Sequence, residues 1–192
     1  AISEDGTIGP HNDWGYMIDK EGSLHNYFDR YFLQKYPEIR GTIFLPIDSH
    51  NHLPLNVGYV IKNRGFDDSF LSFLNRISEH FEFAFHGIKH AWEDESGRIV
   101  HEFRNIEANQ LEEKHQALKV FEDSTGIRFN GGKFPGYGYN GNALDFLKHG
   151  NFNWWALDAV MLNKVSKKNN PVWNEDLKIV LVPTNVTGDI FK

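Results

Sequence analysis

Short apolar runs with little polar alternation, separated by stretches of helical periodicity, constrain the fold of this 192-residue chain more than any other feature. Gly41-Thr42-Ile43-Phe44-Leu45-Pro46-Ile47 is one such run, and Phe81-Glu82-Phe83-Ala84-Phe85, 152–157 and 177–182 are others. A strand that is apolar on both faces is covered on both, which is the habit of parallel sheets flanked by helices. The intervening segments have the matching period. Leu24, Tyr27, Phe28, Tyr31 and Phe32 follow the N-cap candidate Ser23 and stop before Pro37, forming an aromatic stripe expected in the core. Phe70, Leu71, Phe73, Leu74 and Ile77 form a second helix, with Asp67 and Asp68 read as its start, where carboxylates suit free amides and the positive end of the helix dipole. Leu111, His115, Leu118 and Phe121 mark a third, over 106–124, with Gly126 at its end. A short fourth covers 142–149 and ends at Gly150. The expectation is an α/β chain built on a parallel sheet, as a partial barrel or an open sheet, with its chemistry at the carboxyl ends of the strands.

One strand end stands out. Phe81–Phe85 runs directly into His86-Gly87-Ile88-Lys89-His90, so two imidazoles emerge where a rigid element gives way to a turn. Neutral imidazole is the commonest metal-binding side chain, and two of them need one carboxylate and an open water position to make catalytic zinc. A lone histidine would more simply bond a carbonyl in the turn. The loop Asp48-Ser49-His50-Asn51-His52 places two further histidines at what would be the same end of the sheet.

Composition narrows the chemistry. Zero cysteines removes thiol nucleophiles, disulfides and thiolate metal sites together, so any metal must be held by histidine and carboxylate. A net charge of −6 without long like-sign runs argues against nucleic acid, for which a basic face is needed. No apolar run approaches the roughly 18 residues of a membrane span, and no signal peptide is evident; the compartment stays open. The length suits a single domain over 1–192.

Two glycine-rich segments remain. The opening stretch holds Glu4-Asp5-Gly6, His11 and Asn12-Asp13-Trp14-Gly15, a surface loop or a strand-end active-site segment. Gly131-Gly132-Lys133-Phe134-Pro135-Gly136-Tyr137-Gly138-Tyr139, taken to follow a short strand, lacks the lysine-serine pair of a phosphate-binding loop. Residues 92–104 read as a polar excursion.

In order, an acidic segment ending in glycine, a helix, Gly41-Thr42-Ile43-Phe44, a second helix, His86-Gly87-Ile88-Lys89-His90, a long helix and Lys133-Phe134-Pro135-Gly136 resemble the polysaccharide deacetylases, the NodB-like carbohydrate esterases (carbohydrate esterase family 4). The resemblance spans roughly 13–182. It implies an irregular (β/α) barrel and removal of N-acetyl groups from an amino-sugar-containing poly- or oligosaccharide. It also implies a divalent metal, zinc in the first instance, bound by one aspartate and two histidines. His86 and His90 become ligands. The third is Asp13, with Asp5 as its rival. If it is Asp13, Asn12 stands where the family has its catalytic aspartate, and an amide cannot accept a proton as that residue does. The general base then falls to Asp5 or Glu4. Lys133 replaces the arginine that holds the base.

The mechanism implied is metal-assisted amide hydrolysis, with the Gly136 amide a candidate donor to the oxyanion, since Pro135 has none to offer. Tyr137, Tyr139, Trp92 and Trp155 are candidates to stack on a sugar ring, and His50 and His52 to lie near it. The family's late histidine, its general acid, is missing from Leu181-Val182-Pro183-Thr184. The expectation is that the chain is a fragment whose barrel is incompletely closed, or that the segment around Ile2 and Ile8 covers the gap; otherwise His11, His50 or His52 supplies the acid. Two other classes fit the composition: a carbohydrate-binding protein without catalysis, and a metal-independent glycosidase using a carboxylate pair.

Overall fold

In the computed structural model, which describes residues 31–47, 68–158 and 170–184, one six-stranded sheet organises the chain. The strands are β1 (Gly41–Leu45), β2 (Phe81–Phe85), β5 (Gly131–Lys133), β6 (Trp154–Asp158), β7 (Val172–Asn174) and β8 (Ile179–Thr184). Their spatial order is β1-β2-β5-β6-β8-β7, parallel throughout except for β7, which runs antiparallel to β8. A separate two-stranded hairpin joins β3 (Ala91–Glu93) to β4 (Ile99–His101). The helical elements are a single turn α1 (Leu33–Lys35), then α2 (Asp68–Ile77), α3 (Leu111–Thr125) and α4 (Gly141–His149).

Register and the two-residue period of a strand sort the side chains onto two faces. Ile43, Phe83, Phe85, Trp155, Leu157 and Leu181 share one face. There Phe85 sits among Phe146 of α4 at 5.6 Å, Phe129 at 6.0 Å and Phe152 at 6.1 Å, ring centre to ring centre. Leu74 and Ile77 of α2 and Leu118 and Phe121 of α3 complete this core. Rings that meet edge-on or offset add to what burial alone contributes, about 0.5–1.5 kcal/mol per pair. The opposite face carries Phe44, Glu82, Ala84, Lys133, Trp154 and Asp158, and His86 continues it beyond the end of β2.

The α/β class and the mostly parallel sheet agree with the sequence pattern. Among the described residues β1 and β7 are the two edges, and no pairing closes one on the other. Four local expectations change. The polar stretch after Trp92 is the β3–β4 hairpin, turned by Asp94, whose carboxylate accepts from the Ser96 and Arg98 amides at 2.9 and 3.0 Å. The strand expected before Gly131 is Gly131–Lys133 itself, hidden from propensity because glycine is a poor strand former and its neighbours supply the packing. β7 was not foreseen; it is three residues paired to an edge. Tyr31, placed in the core stripe, is 63% exposed, whereas Phe32 does pack against the core. The rest of that stripe, and Asp67, lie outside the described residues.

Candidate functional site

At the carboxyl end of β2 the chain makes a tight turn. Gly87 takes φ +88°, and His90 takes φ +66°, a left-handed conformation that costs an L-residue roughly 1–2 kcal/mol. The strain at His90 is offset by one neighbouring side chain. Glu102, one residue beyond β4 and only 4% exposed, aims a single carboxylate oxygen, Oε2, into the turn. That oxygen accepts from the amides of Ile88, Lys89 and His90 at 2.7, 2.9 and 3.2 Å. The Glu102 amide in turn donates to the His90 carbonyl at 3.1 Å. The other carboxylate oxygen, Oε1, meets the Lys114 ammonium of α3 at 2.9 Å, with the Lys114 side chain 12% exposed. Charged acceptors taking several backbone amides are among the stronger hydrogen-bonding arrangements. A Cβ on Gly87 would stand 2.6 Å from Glu102 Oε2 and 2.8 Å from Pro135 Cγ, so this position excludes any larger residue twice over.

The turn brings the His86 and His90 rings to 4.8 Å between centres, nearly edge to face. His86 Nδ1 donates to the Lys133 carbonyl at 2.9 Å, which leaves Nε2 of the neutral ring with its lone pair. The buried Nδ1 of His90 has no hydrogen-bond partner. Both rings resist protonation. Burial lowers the His86 pKa well below its usual value, helped by the charge of His90, Lys133 and His101 and opposed by the bond to Lys133. Burial, then His101 and Lys133, lowers that of His90 to about 4. Two imidazoles held neutral near pH 7 are in the form that ligates a metal.

A third histidine joins them. His101, at the end of β4, lies 6.1 Å from His90 between ring centres, and its Nδ1 is also buried without a partner. Its pKa is lowered by burial and by Arg104. Its ring occupies the space a side chain on Gly136 would need, and Gly136 takes φ +56° in the turn Pro135–Tyr137. The ammonium of Lys133 is sandwiched between Phe44 at 4.8 Å and Tyr137 at 4.7 Å from the ring centres. His86, His90, Lys133, Gly136 and Tyr137, all candidates from the sequence, thus cluster at one end of the sheet.

Other candidates separate from the cluster. Trp155 is fully buried, packed 4.8 Å from Phe134 and 4.9 Å from Phe152, so it is a core residue and cannot stack on a sugar. Trp92 is half-buried and pairs with Val100, on the opposite face of the hairpin from His101. Tyr139 stacks on Phe134 at 5.3 Å and is half-buried rather than exposed. Glu4, Asp5, His11, Asp13, His50 and His52 lie outside the described residues. Among the described residues no three histidines, aspartates or glutamates converge with metal-ligand geometry. The donor set that is described, two adjacent neutral imidazoles with one nitrogen fixed and one orphaned, is of a chemistry that fits a divalent ion. Sequence reasoning missed His101, Glu102 and Lys114. A glutamate in a polar hairpin and a lysine on an amphipathic helix carry no signal of burial; only the three-dimensional approach of α3 to the turn reveals them.

No family model and no curated protein matches the chain. Three solved structures are similar over most of it. One is a Mycobacterium smegmatis protein assigned as a polysaccharide deacetylase, 16% identical, TM-score 0.49, over 83% of this chain and 49% of that one. Another is 4-alpha-glucanotransferase from Thermococcus litoralis, 15% identical, TM-score 0.52, over 80% of this chain and 22% of that one. The third is a GH57-type branching enzyme from Pyrococcus horikoshii, 13% identical, TM-score 0.45, over 68% of this chain and 26% of that one. The chain spans about half the length of the first and about a quarter or less of the others. Identities this low speak to fold alone. No described helix is long and apolar enough to cross a membrane.

Proposed function

We propose that this chain is a carbohydrate-active, metal-dependent hydrolase that removes N-acetyl groups from an amino-sugar polymer or oligomer. The observation that carries the reading is the pair of half-buried, neutral imidazoles, His86 with its Nε2 freed by the bond to the Lys133 carbonyl and His90 with an orphaned Nδ1. Bound there, a zinc-like ion would supply a water acidified to near neutrality and a polarised acetyl carbonyl. His86 and His90 would hold that ion with Asp13, or Asp5, as the third ligand. Asp5 or Glu4 would serve as the general base. The Gly136 amide would donate to the developing oxyanion, and the Lys133 ammonium, held between Phe44 and Tyr137, sets a positive charge near both histidines. Tyr137, its ring already against that ammonium, offers its other surface to a sugar. The 4-alpha-glucanotransferase similar in fold acts on a carbohydrate, which points the same way on the substrate class.

The test is metal content of the purified protein together with acetate release from N-acetylated oligosaccharides before and after chelation. Stoichiometric divalent metal, and release that stops on chelation and returns with zinc, is the expected result. Sugar binding that survives chelation with no acetate release would make the chain a binding protein. Cleavage or transfer of glycosidic bonds without metal would make it a glycosidase-type enzyme.

A further inference from the structure

The contacts of Glu102 are disproportionate for a structural residue. It is the one charged residue buried in the core among the described residues, and all of its reach goes to the histidine turn on one side and to helix α3 on the other. Residue 90 is gripped on both sides of its Cα, its amide by the Glu102 carboxylate and its carbonyl by the Glu102 amide. His90 therefore holds its left-handed conformation because residue 102 stands where it does.

We propose that Glu102, fixed by Lys114, is the positioning residue of the two-histidine site: its carboxylate shapes the turn and so sets the separation at which His86 and His90 meet a divalent ion. This rests on the metal reading given above. A groups-through-backbone arrangement differs from the common one, in which a carboxylate bonds the far nitrogen of a ligand ring; here that task falls to a backbone carbonyl, at Lys133. The carboxylate acts one step further back, on the peptide that bears the ring. Lys114 is needed because its ammonium, 2.9 Å from Oε1, anchors the carboxylate so that Oε2 stays aimed at the three amides. Helix α3 thereby supplies the charge that keeps the turn in shape.

The experiment measures zinc affinity by competition with a chromophoric chelator, and the visible spectrum of the cobalt-substituted protein, in four chains: wild type, Glu102→Gln, Lys114→Arg and the double variant Glu102→Gln/Lys114→Met. Thermal melts of the metal-free chains run alongside. Glu102→Gln is expected to lose 10- to 100-fold in zinc affinity, the range typical of outer-shell changes, and to alter the cobalt spectrum. Lys114→Arg, which retains the ion pair, keeps affinity within about threefold, below that range. The double variant removes the ammonium that Glu102→Gln leaves buried and unpaired, so it regains thermal stability but not affinity. It also carries the test if Glu102→Gln alone does not fold. Wild-type affinity and spectrum in Glu102→Gln, or recovery of affinity in step with stability in the double variant, would overturn the inference and leave Glu102 a structural residue. Failure of wild type itself to bind zinc or cobalt is a different result: it removes the two-histidine metal site, and the positioning role with it.

Discussion

Acid should unfold the metal-free protein earlier than its carboxylates alone would dictate, and His90 is the group through which the size of that effect can be worked out. Its pKa falls from 6.5 to about 4 because folding buries the ring beside His101 and Lys133. A histidine whose folded pKa is lowered is neutral in the native chain while the unfolded chain takes up a proton, so protonation favours unfolding. The contribution is absent above pH 6.5, grows as pH falls and saturates near pH 4. For this residue alone the loss is about 2 kcal/mol at pH 5 and roughly 3 kcal/mol in full. His86, His101 and His115 are lowered in the same direction, each chiefly by burial, so that figure is a lower bound for the chain. The assay is urea denaturation of the chelated protein at intervals between pH 7.5 and 5, above the range where most carboxylates titrate, in wild type and in His90→Gln. Wild type should lose stability steeply below pH 6.5, and His90→Gln should lose about 2 kcal/mol less of it by pH 5. Parallel curves for the two chains would show that His90 is not held neutral by the fold, and the account of the site as a pair of preformed ligands would go with it.

Three further outcomes can be checked. Asp13→Ala should abolish stoichiometric zinc while Asp5→Ala keeps zinc and loses acetate release; elemental analysis paired with the activity assay separates the two, and the reverse pattern would exchange their roles. Trp155→Ala should cost about 3–5 kcal/mol of stability by urea denaturation, as expected for a large aromatic in a closed core, without raising the KM for sugar in the folded fraction. Gly136→Ala keeps the backbone amide but drives a methyl group into the His101 ring at a positive φ, so stability should fall by about 1–2 kcal/mol and kcat more than zinc content; equal stability would mean the His101 ring is free to swing away.

The sequence shows the α/β class because its strands are apolar on both faces and its helices amphipathic, and both patterns are local. Phe81–Phe85 and the end of α3 at Gly126, which takes φ +74°, are where expected for that reason. The histidine pair was legible because a strand ending in two imidazoles is itself a local signal. What escaped is non-local. β5 contains two glycines and gains its strand character from the neighbours it pairs with, and β7 exists because β8 leaves an edge to pair. The role of Trp155 could not be read, because tryptophan next to tryptophan at 154 and 155 says nothing about which ring faces the helices; the register with Gly131 and Gly132 decides it. Glu102 and Lys114 are twelve residues apart and meet across the hairpin and α3, a contact that neither residue announces.

The bond from the His86 ring to the Lys133 carbonyl has a further consequence. β2 and β5 share one registered pair, Phe85 with Gly132, and one step beyond it the imidazole takes the place of the next rung. On the other side the His86 amide donates to the Leu45 carbonyl at 3.1 Å, so this residue stitches β1, β2 and β5 together at the point where the sheet frays. The proposed ligand is also the seam. Its ring is held in this orientation only once three strands, distant in sequence, have come into register, so a metal bound there would report on their joint. Replacing His86 removes the side-chain bond to β5 as well as a proposed ligand, whereas the ring of His90 has no such hydrogen bond among the described residues. Of the two histidines, His90 is the one whose replacement would test the proposed ligation more directly.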